Sequence, residues 1–320
     1  MIDSISLSTL QQQIESVIVG QKKLIERMLI AVLANGHILL EGPPGLAKTT
    51  AVHALATGVD ADFQRIQFTP DLMPSDITGS EIFEPKDGSL KFSAGPLFNQ
   101  IILADEINRA PPKVQSALLE AMAEQQVSAG NHTHKLDDFF IVLATQNPIE
   151  QFGTYALPEA LLDRFLFKFL IEYPSQQEEI EIAHRARQDD KGHLDAKVKK
   201  ILDPNAIFEL RKQVNQVYIE PNLEAYAVRL VAATRNLEQL KPEWGNFIKN
   251  GASPRGSIAL LRAAMAKAFL QQRDYVLPED IIELAPDVLR HRIILDFSAQ
   301  AEGINADQII QTIIDRVEAA

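Results

Sequence analysis

The first half of the chain alternates between short apolar runs and segments with helical periodicity. The apolar runs have the length and composition of buried strands, and they are His37–Leu40, Phe63–Phe68, Ile101–Ala104, Phe139–Thr145 and Phe165–Ile171. Most neighbouring runs are separated by enough residues for a helix, and this β–α–β alternation is typical of a parallel sheet. The pattern therefore predicts an α/β fold built on a five-stranded parallel sheet.

Two segments interrupt this alternation, and each is predicted to be a β-hairpin. Residues Ser80–Phe92 form two short strands around Asp87-Gly88, a pair that favours tight turns between strands. Residues Gln126–Asp138 carry Gly130-Asn131 near their middle. Either segment could be a plain surface hairpin or an element that contacts a partner.

Beyond about Tyr173 the strand-like runs end and the chain becomes helical. Segments with helical periodicity are separated by Pro, Gly and Asn breaks, and they are Gln176–Gln188, Ala206–Val214, Leu223–Glu238, Ser257–Gln271, Pro278–Val288 and Ala306–Val317. The polar stretch Asp189–Asp203 is the predicted flexible connection among them. We therefore predict an α/β domain over residues 1–173 and a small all-α domain over residues 174–320.

Composition narrows the class of protein. The 320 residues are 46% hydrophobic, which is typical of a globular chain. No apolar run reaches the length of about 18 residues that spans a membrane, and the N-terminus lacks the features of a secretory signal. The net charge of −12 argues against generic binding to nucleic acid or to an anionic membrane. The absence of cysteine excludes disulfides and thiolate metal sites, and it fits a cytoplasmic protein.

The segment after the first apolar run has the pattern of a phosphate-binding loop. A strand that ends at glycine, turns tightly and enters a helix directs backbone N–H groups and a positive helix end at one point, which suits nucleotide phosphates. Lys48 would reach these phosphates, and the Thr49 hydroxyl would hold Mg²⁺. Ala47 stands where the usual G-x-x-x-x-G-K-[ST] pattern has glycine, a small departure if this position is already helical. The predicted phosphate-binding residues are Gly42, Pro43, Pro44, Gly45, Leu46, Ala47, Lys48, Thr49 and Thr50.

An acidic pair follows the third apolar run. Asp105 and Glu106 come directly after Ile101–Ala104, so they are expected in the crevice at the carboxyl ends of the strands, where open α/β sheets bind ligands. Asp105 would hold Mg²⁺, and Glu106 would orient and polarise the attacking water. The alternative for the upstream loop, a Pro/Gly turn before a helix that happens to carry Lys-Thr, becomes much weaker when both motifs are present.

A polar residue also follows the fourth apolar run. Asn147 comes two residues after Thr145, at a strand tip expected beside the acidic pair. Its side chain could hydrogen-bond the γ-phosphate or the attacking water. The alternative is a simple turn, because Asn-Pro commonly starts turns.

The phosphate loop, the acidic pair and Asn147, in this order, resemble the AAA+ ATPases. Further stretches resemble the MoxR family, in the helix-2-insert branch of that superfamily, and they are Ile107–Pro112, Leu157–Phe165 and Gly251–Arg255. The resemblance covers the chain from about Ile18 to near the C-terminus. It implies a P-loop AAA+ core with two inserted β-hairpins and an all-α lid, and it places the phosphate-loop strand in the middle of the five.

The resemblance also implies roles that spacing alone does not provide. Arg164 matches the arginine that such assemblies insert into a neighbouring subunit's site, where it would stabilise charge on the transferring γ-phosphoryl group. Arg255 matches the second sensor arginine, and Val19 and Gly20 match the stretch that lies against the adenine. For each arginine, a helix cap or a surface ion pair is the alternative.

The function that the resemblance implies is Mg²⁺-dependent ATP hydrolysis by a homo-oligomeric ring, expected to be hexameric. Hydrolysis would drive chaperone-like remodelling, maturation or activation of a client protein or complex, and family members often work with a partner that carries a von Willebrand factor A domain. In this branch the hairpins line or approach a central pore, so their tips around Lys86 and Asn131 would touch the client. The alternatives are a magnesium-chelatase-type ATPase subunit and a nucleotide-gated scaffold with little turnover.

Overall fold

The computed structural model describes residues 4–86, 88–130, 132–147, 153–188 and 198–319. Its contacts divide the chain into two compact units. The first consists of Met1–Met28, His37–Arg164 and Phe169–Ile207, and the second of Leu29–Gly36, Phe165–Lys168 and Phe208–Ala320. The predicted domain boundary near residue 173 stays a prediction. Within the described ranges, no helix has both the length and the apolar character needed to cross a membrane.

The strands are β1 (His37–Glu41), β2 (Phe63–Gln67), β3 (Gly79–Glu84), β4 (Ser89–Ala94), β5 (Ile101–Asp105), β6 (Gln126–Ala129), β7 (His132–Lys135), β8 (Ile141–Gln146), β9 (Phe165–Leu170), β10 (Ile248–Asn250) and β11 (Ile294–Leu295). The helices are α1 (Ser4–Val17), α2 (Lys22–Leu33), α3 (Lys48–Gly58), α4 (Pro74–Thr78), α5 (Pro112–Glu124), α6 (Glu159–Leu162), α7 (Gln176–Gln188), α8 (Pro204–Val214), α9 (Pro221–Ala233), α10 (Leu237–Leu240), α11 (Pro254–Leu270), α12 (Pro278–Leu289), α13 (Phe297–Ala301) and α14 (Ala306–Arg316).

The predicted five-stranded sheet is confirmed, in the order β2-β5-β8-β1-β9. The β2–β5, β5–β8 and β8–β1 pairs are parallel. Every residue of β5 before Asp105 is buried, as expected for a strand covered on both faces. The prediction that the phosphate-loop strand β1 lies in the middle is wrong, because β8 lies there. The residues that end β8 are therefore between the phosphate loop and the acidic pair.

The register aligns the carboxyl ends of these strands. Gln67 of β2 pairs with Asp105 of β5, and Glu41 of β1 pairs with Gln146 of β8. Ala104 pairs with Ala144, so the residues that follow them, Asp105 and Thr145, lie side by side. Polar side chains from neighbouring strands consequently meet at one edge of the sheet, where a nucleotide site was expected.

Both predicted hairpins are present. Strands β3 and β4 pair antiparallel from Gly79↔Ala94 to Glu84↔Ser89, and β6 pairs with β7 in the same way. The rings of Phe92 in β4 and His134 in β7 stack with centroids 3.7 Å apart. At the predicted tips, Asp87 and Asn131 lie outside the described residues.

The described chain beyond Tyr173 is mostly helical, as predicted, with two differences. Strands β10 and β11 form a short antiparallel pair that the sequence pattern did not indicate. The predicted helix Leu223–Glu238 is divided into α9 and α10. Thr234, buried at this break, donates its hydroxyl hydrogen to Val231 O over 2.6 Å and accepts the Ala252 N–H over 2.9 Å. These side-chain bonds replace backbone bonds of a continuous helix.

The chain after α12 contacts a strand segment within the second unit. His291 Nε2 lies 3.0 Å from the backbone oxygen of Phe165, and Arg292 Nη2 donates to the same oxygen over 2.6 Å. His291 is buried. Burial, and then the charge of Arg292, hold the pKa of His291 well below its usual range.

Candidate nucleotide site

The phosphate loop connects the end of β1 to the start of α3. The backbone N–H of Gly42 donates to Gln146 O over 3.4 Å. A Cβ at residue 42 would lie 2.9 Å from the backbone oxygen of Ile171, so only glycine fits this close approach. Gly45 has a φ of 84°, in the left-handed region that glycine adopts without strain. These two glycines fix the tight turn that the sequence motif predicted.

Ala47 is the N-cap of α3, with φ 54° and ψ 24°. The expectation that alanine costs little at this position assumed a helical conformation, and that assumption is wrong. For an alanine the left-handed region costs roughly 1–2 kcal/mol, because Cβ approaches the following carbonyl oxygen. The Ala47 backbone is therefore strained in a way that the glycine of the usual motif would relieve.

Lys48 begins α3 and directs its ammonium group back over the loop. Its Nζ donates to the backbone oxygen of Gly42 over 2.8 Å. Burial lowers the pKa of Lys48, while the carboxylates of Asp105 and Glu106 act in the opposite direction. The ammonium group is thus held inside the loop and near the acidic pair by surrounding backbone and charge.

A cleft of about 550 Å³ brings the sequence motifs together. Its lining includes the predicted residues Pro44, Gly45, Leu46, Ala47, Lys48, Thr49, Thr50, Asp105, Glu106 and Asn147. Arg65, Gln67 and Thr145 also line it. Gly42 and Pro43 shape the loop but are not among the residues that line the cleft.

Asp105 is held by donors from the strands on either side of β5. Thr145 in β8 donates its hydroxyl hydrogen to Asp105 Oδ1 over 2.5 Å. Arg65 in β2 donates from Nε and Nη2 to Asp105 Oδ2, over 3.1 and 2.6 Å. Both carboxylate oxygens therefore have hydrogen-bond donors from the protein itself.

Glu106 lies in the left-handed region, with φ 58° and ψ 49°. Its backbone N–H donates to Thr145 Oγ1 over 2.9 Å. Its carboxylate oxygen Oε2 accepts from Gln67 Nε2 over 3.0 Å and from Arg109 Nη1 over 2.9 Å. The unusual backbone turns the Glu106 side chain away from the strand direction, and these side chains hold it there.

Sequence reasoning missed Arg65, Gln67 and Thr145 as members of this site. Gln67 and Thr145 lie at or next to the last position of the strands that flank β5, and Arg65 lies two residues before Gln67. The period of two along a strand puts Arg65 and Gln67 on one face. A search of the ends of both neighbouring strands, once their order was known, would have found all three.

Four residues named from the resemblance lie elsewhere in the chain. Arg164 follows α6, and its buried Nε has no hydrogen-bond partner within the described residues; it does not line the cleft of its own chain. Arg255 is the second residue of α11 in the second unit. Its backbone N–H donates to the side-chain Oγ of the N-cap residue Ser253 over 3.2 Å. Val19 and Gly20 link α1 to α2, where Gly20 has a φ of 76°. Their roles stay predictions.

The donor set of the cleft fits a magnesium ion. Mg²⁺ prefers oxygen ligands, commonly one or two protein groups together with phosphate oxygens and water. The Thr49 hydroxyl and the Asp105 carboxylate both line the cleft next to the loop. These two residues would hold the ion beside the phosphates.

The comparisons with known proteins agree with this geometry. Residues 37–167 match the ATPase family associated with various cellular activities (AAA), and residues 246–313 match the AAA lid domain. The fold is therefore that of an AAA ATPase. A solved structure of a candidate ATPase from Cytophaga hutchinsonii is 48% identical, with a TM-score of 0.91 over 98% of this chain and 95% of that one.

Named relatives specify the family. Chaperone MoxR1 of Mycobacterium tuberculosis is 45% identical over 95% of this chain and 80% of its own length. Protein MoxR of Methylorubrum extorquens is 33% identical over 89% of this chain and 87% of its own length. The chain belongs to the MoxR family of AAA+ ATPases.

Proposed function

We propose that this ATPase uses Mg²⁺ and the residues of the cleft to hydrolyse ATP in an oligomeric ring, and that hydrolysis drives chaperone-like remodelling of a client protein or complex. The observation that carries the proposal is the meeting of Lys48, Thr49, Asp105, Glu106 and Asn147 in one cleft. Phosphoryl transfer to water uses a loop that binds phosphates, ligands for a cation, a base, and a polar side chain that positions the water or the γ-phosphate.

Each part has a separate task. The loop N–H groups and Lys48 bind the β- and γ-phosphates. Thr49 and Asp105 hold Mg²⁺, which would neutralise charge on the phosphates when bound. Glu106 orients a water molecule and accepts its proton, and Asn147 positions that water or the γ-phosphate by hydrogen bonding. Gln67 and Arg109 set the direction of the Glu106 carboxylate before the water arrives.

The site would be completed by a neighbouring subunit. Arg164 does not line the cleft of its own chain, which supports a role in the cleft of the next subunit. Arg255 would contribute as the second sensor. A head-to-tail interface that closes on itself produces a ring, and we propose a hexamer.

The first hairpin is our candidate for contact with the client. On it, Phe83 pairs across the strands with Leu90, and the two side chains are 59% and 62% exposed. Large apolar side chains exposed together mark interaction surfaces more often than isolated ones do. The chaperone name of MoxR1 supports a protein client, and a partner with a von Willebrand factor A domain would be the adaptor.

The Glu106→Gln variant tests the proposed chemistry. The amide can still hydrogen-bond but cannot accept a proton, so ATP binding should persist while phosphate release falls by about 10²–10⁴-fold. Glu124→Gln, on the exposed surface of α5, is the matched control and should behave as the wild type. Equal phosphate release from the wild type and Glu106→Gln would refute the assigned role of Glu106.

A further inference from the structure

Arg65 is the one cation that contacts Asp105 among the described ion pairs. Two of its nitrogens donate to the same carboxylate oxygen, Oδ2. Arg65 Nη2 also donates to Gln67 Oε1 over 2.9 Å, which links the guanidinium to the residue that holds Glu106. The Arg65 side chain is 49% exposed, whereas that of Asp105 is 16% exposed.

This pairing occupies the carboxylate that the proposed function assigns to the cation. A carboxylate that holds Mg²⁺, directly or through a water ligand, directs its oxygens and its negative charge at the ion. In this structure Oδ1 accepts the Thr145 hydroxyl and Oδ2 accepts the Arg65 guanidinium. Thr145 is neutral and orients Asp105 without opposing a cation. Arg65 carries a full positive charge against the carboxylate that is proposed to hold the ion.

The pairing is also easy to exchange. Ion pairs with one partner open to solvent contribute little, and charge-assisted hydrogen bonds with good geometry contribute somewhat more. The exposed guanidinium can leave Oδ2 and be solvated in the cleft at little cost. The more buried Asp105 stays in place, because Thr145 continues to hold Oδ1.

We infer that Arg65 is a positioning residue that competes with Mg²⁺ for Asp105, so that the divalent cation binds this cleft by displacing the guanidinium. This inference rests on the proposed role of Asp105 as a magnesium ligand. Arg65 keeps the carboxylate neutralised and oriented until a phosphate-bound cation takes its place. Its removal should therefore strengthen the thermodynamic coupling between cation and nucleotide.

The test measures how much Mg²⁺ strengthens ADP binding. Isothermal titration calorimetry gives the ADP dissociation constant in EDTA and in excess Mg²⁺, and their ratio is the coupling. ADP is used because it avoids turnover during the titration. We expect Arg65→Gln to raise the ratio about two- to ten-fold, the range that follows from the loss of this ion pair.

Other variants separate the possible explanations. Arg187→Gln removes an exposed arginine of α7 that does not line the cleft, and it should leave the ratio unchanged. Arg65→Lys keeps the positive charge but loses the paired hydrogen bonds of the guanidinium, so its ratio should lie between those of the wild type and Arg65→Gln. This variant also tests the inference if Arg65→Gln folds poorly. Asp105→Asn should lower the ratio below that of the wild type.

Two results would overturn the inference in different ways. A ratio for both Arg65 variants equal to or below the wild-type ratio, together with a lower ratio for Asp105→Asn, would reject the competition and leave the proposed function intact. An unchanged ratio for Asp105→Asn would reject the magnesium role of Asp105, and with it both this inference and that part of the proposed function.

Discussion

Thr145 donates its hydroxyl hydrogen to Asp105 Oδ1 over 2.5 Å and accepts the backbone N–H of Glu106 over 2.9 Å. One buried side chain in the middle strand therefore orients both acids. The carboxylate of Asp105 and the unusual backbone of Glu106 depend on the same oxygen atom. This arrangement explains how an acidic pair at a strand end keeps a defined geometry in an open cleft.

Thr145→Val should lower ATP turnover. Valine keeps the shape but removes a hydrogen bond to a charged group, which contributes about 1.5–3 kcal/mol. If that energy holds Asp105 in position, turnover falls by about 10–100-fold, as measured by steady-state phosphate release. Thr145→Ser restores the hydroxyl and should recover most of the activity. Wild-type turnover in the valine variant would show that the bond has no part in the reaction.

Ala47→Gly should stabilise the protein. Glycine removes about 1–2 kcal/mol of left-handed strain at the N-cap of α3, and its greater freedom in the unfolded chain returns about 0.4–1 kcal/mol of that gain. Urea denaturation should therefore show a net gain of roughly 0.5–1 kcal/mol. Ala51→Gly, inside the same helix, should destabilise instead. An equal loss in the free energy of unfolding for both variants would contradict the strain at Ala47.

The second unit should lose stability as the pH falls below about 6.5. Burial and Arg292 hold the pKa of folded His291 well below its usual range, whereas the unfolded histidine titrates near 6.5. Between these values the unfolded chain binds the additional proton, so acid favours unfolding by up to about 1.4 kcal/mol per pH unit.

The single tryptophan, Trp244, reports on this unit. Urea unfolding followed by its fluorescence should show a weaker pH dependence between pH 5 and 7.5 for His291→Gln than for the wild type. His132→Gln, at an exposed histidine, is the control and should keep the wild-type dependence. The same pH dependence of the free energy of unfolding in the wild type and in His291→Gln would contradict the lowered pKa of His291.

The core of the site was predictable because its residues are adjacent to strand ends. Asp105 directly follows an apolar run, and Lys48 ends the glycine-containing loop that follows another. The carboxyl ends of parallel strands meet at one edge of a sheet. Arg65 and Thr145 gave no such signal, since an arginine and a threonine in strands are ordinary. Their importance depends on which strands flank β5, and this order is a tertiary property.

Backbone conformation was the other source of error. Ala47 and Glu106 both have positive φ, which the sequence does not indicate for either residue type. The short β10–β11 pair also escaped prediction, because strands of two or three residues have too few positions to show a periodicity. By contrast, both hairpins were predictable from their turn residues and flanking strand-like segments.

The most direct test of the proposed shared site is the activity of mixed assemblies. Lys48→Ala subunits lack the lysine that is proposed to bind phosphate but keep Arg164, and Arg164→Ala subunits keep Lys48 but lack Arg164. Each variant alone should turn over ATP at least about 10³-fold more slowly than the wild type.

On random co-assembly of equal amounts, one interface in four joins an intact cleft to an intact Arg164, so co-expressed subunits should recover about a quarter of wild-type turnover. The shared site would be contradicted by a co-expressed mixture that is no more active than the two variants measured separately. Wild-type turnover by Arg164→Ala alone would contradict it as well.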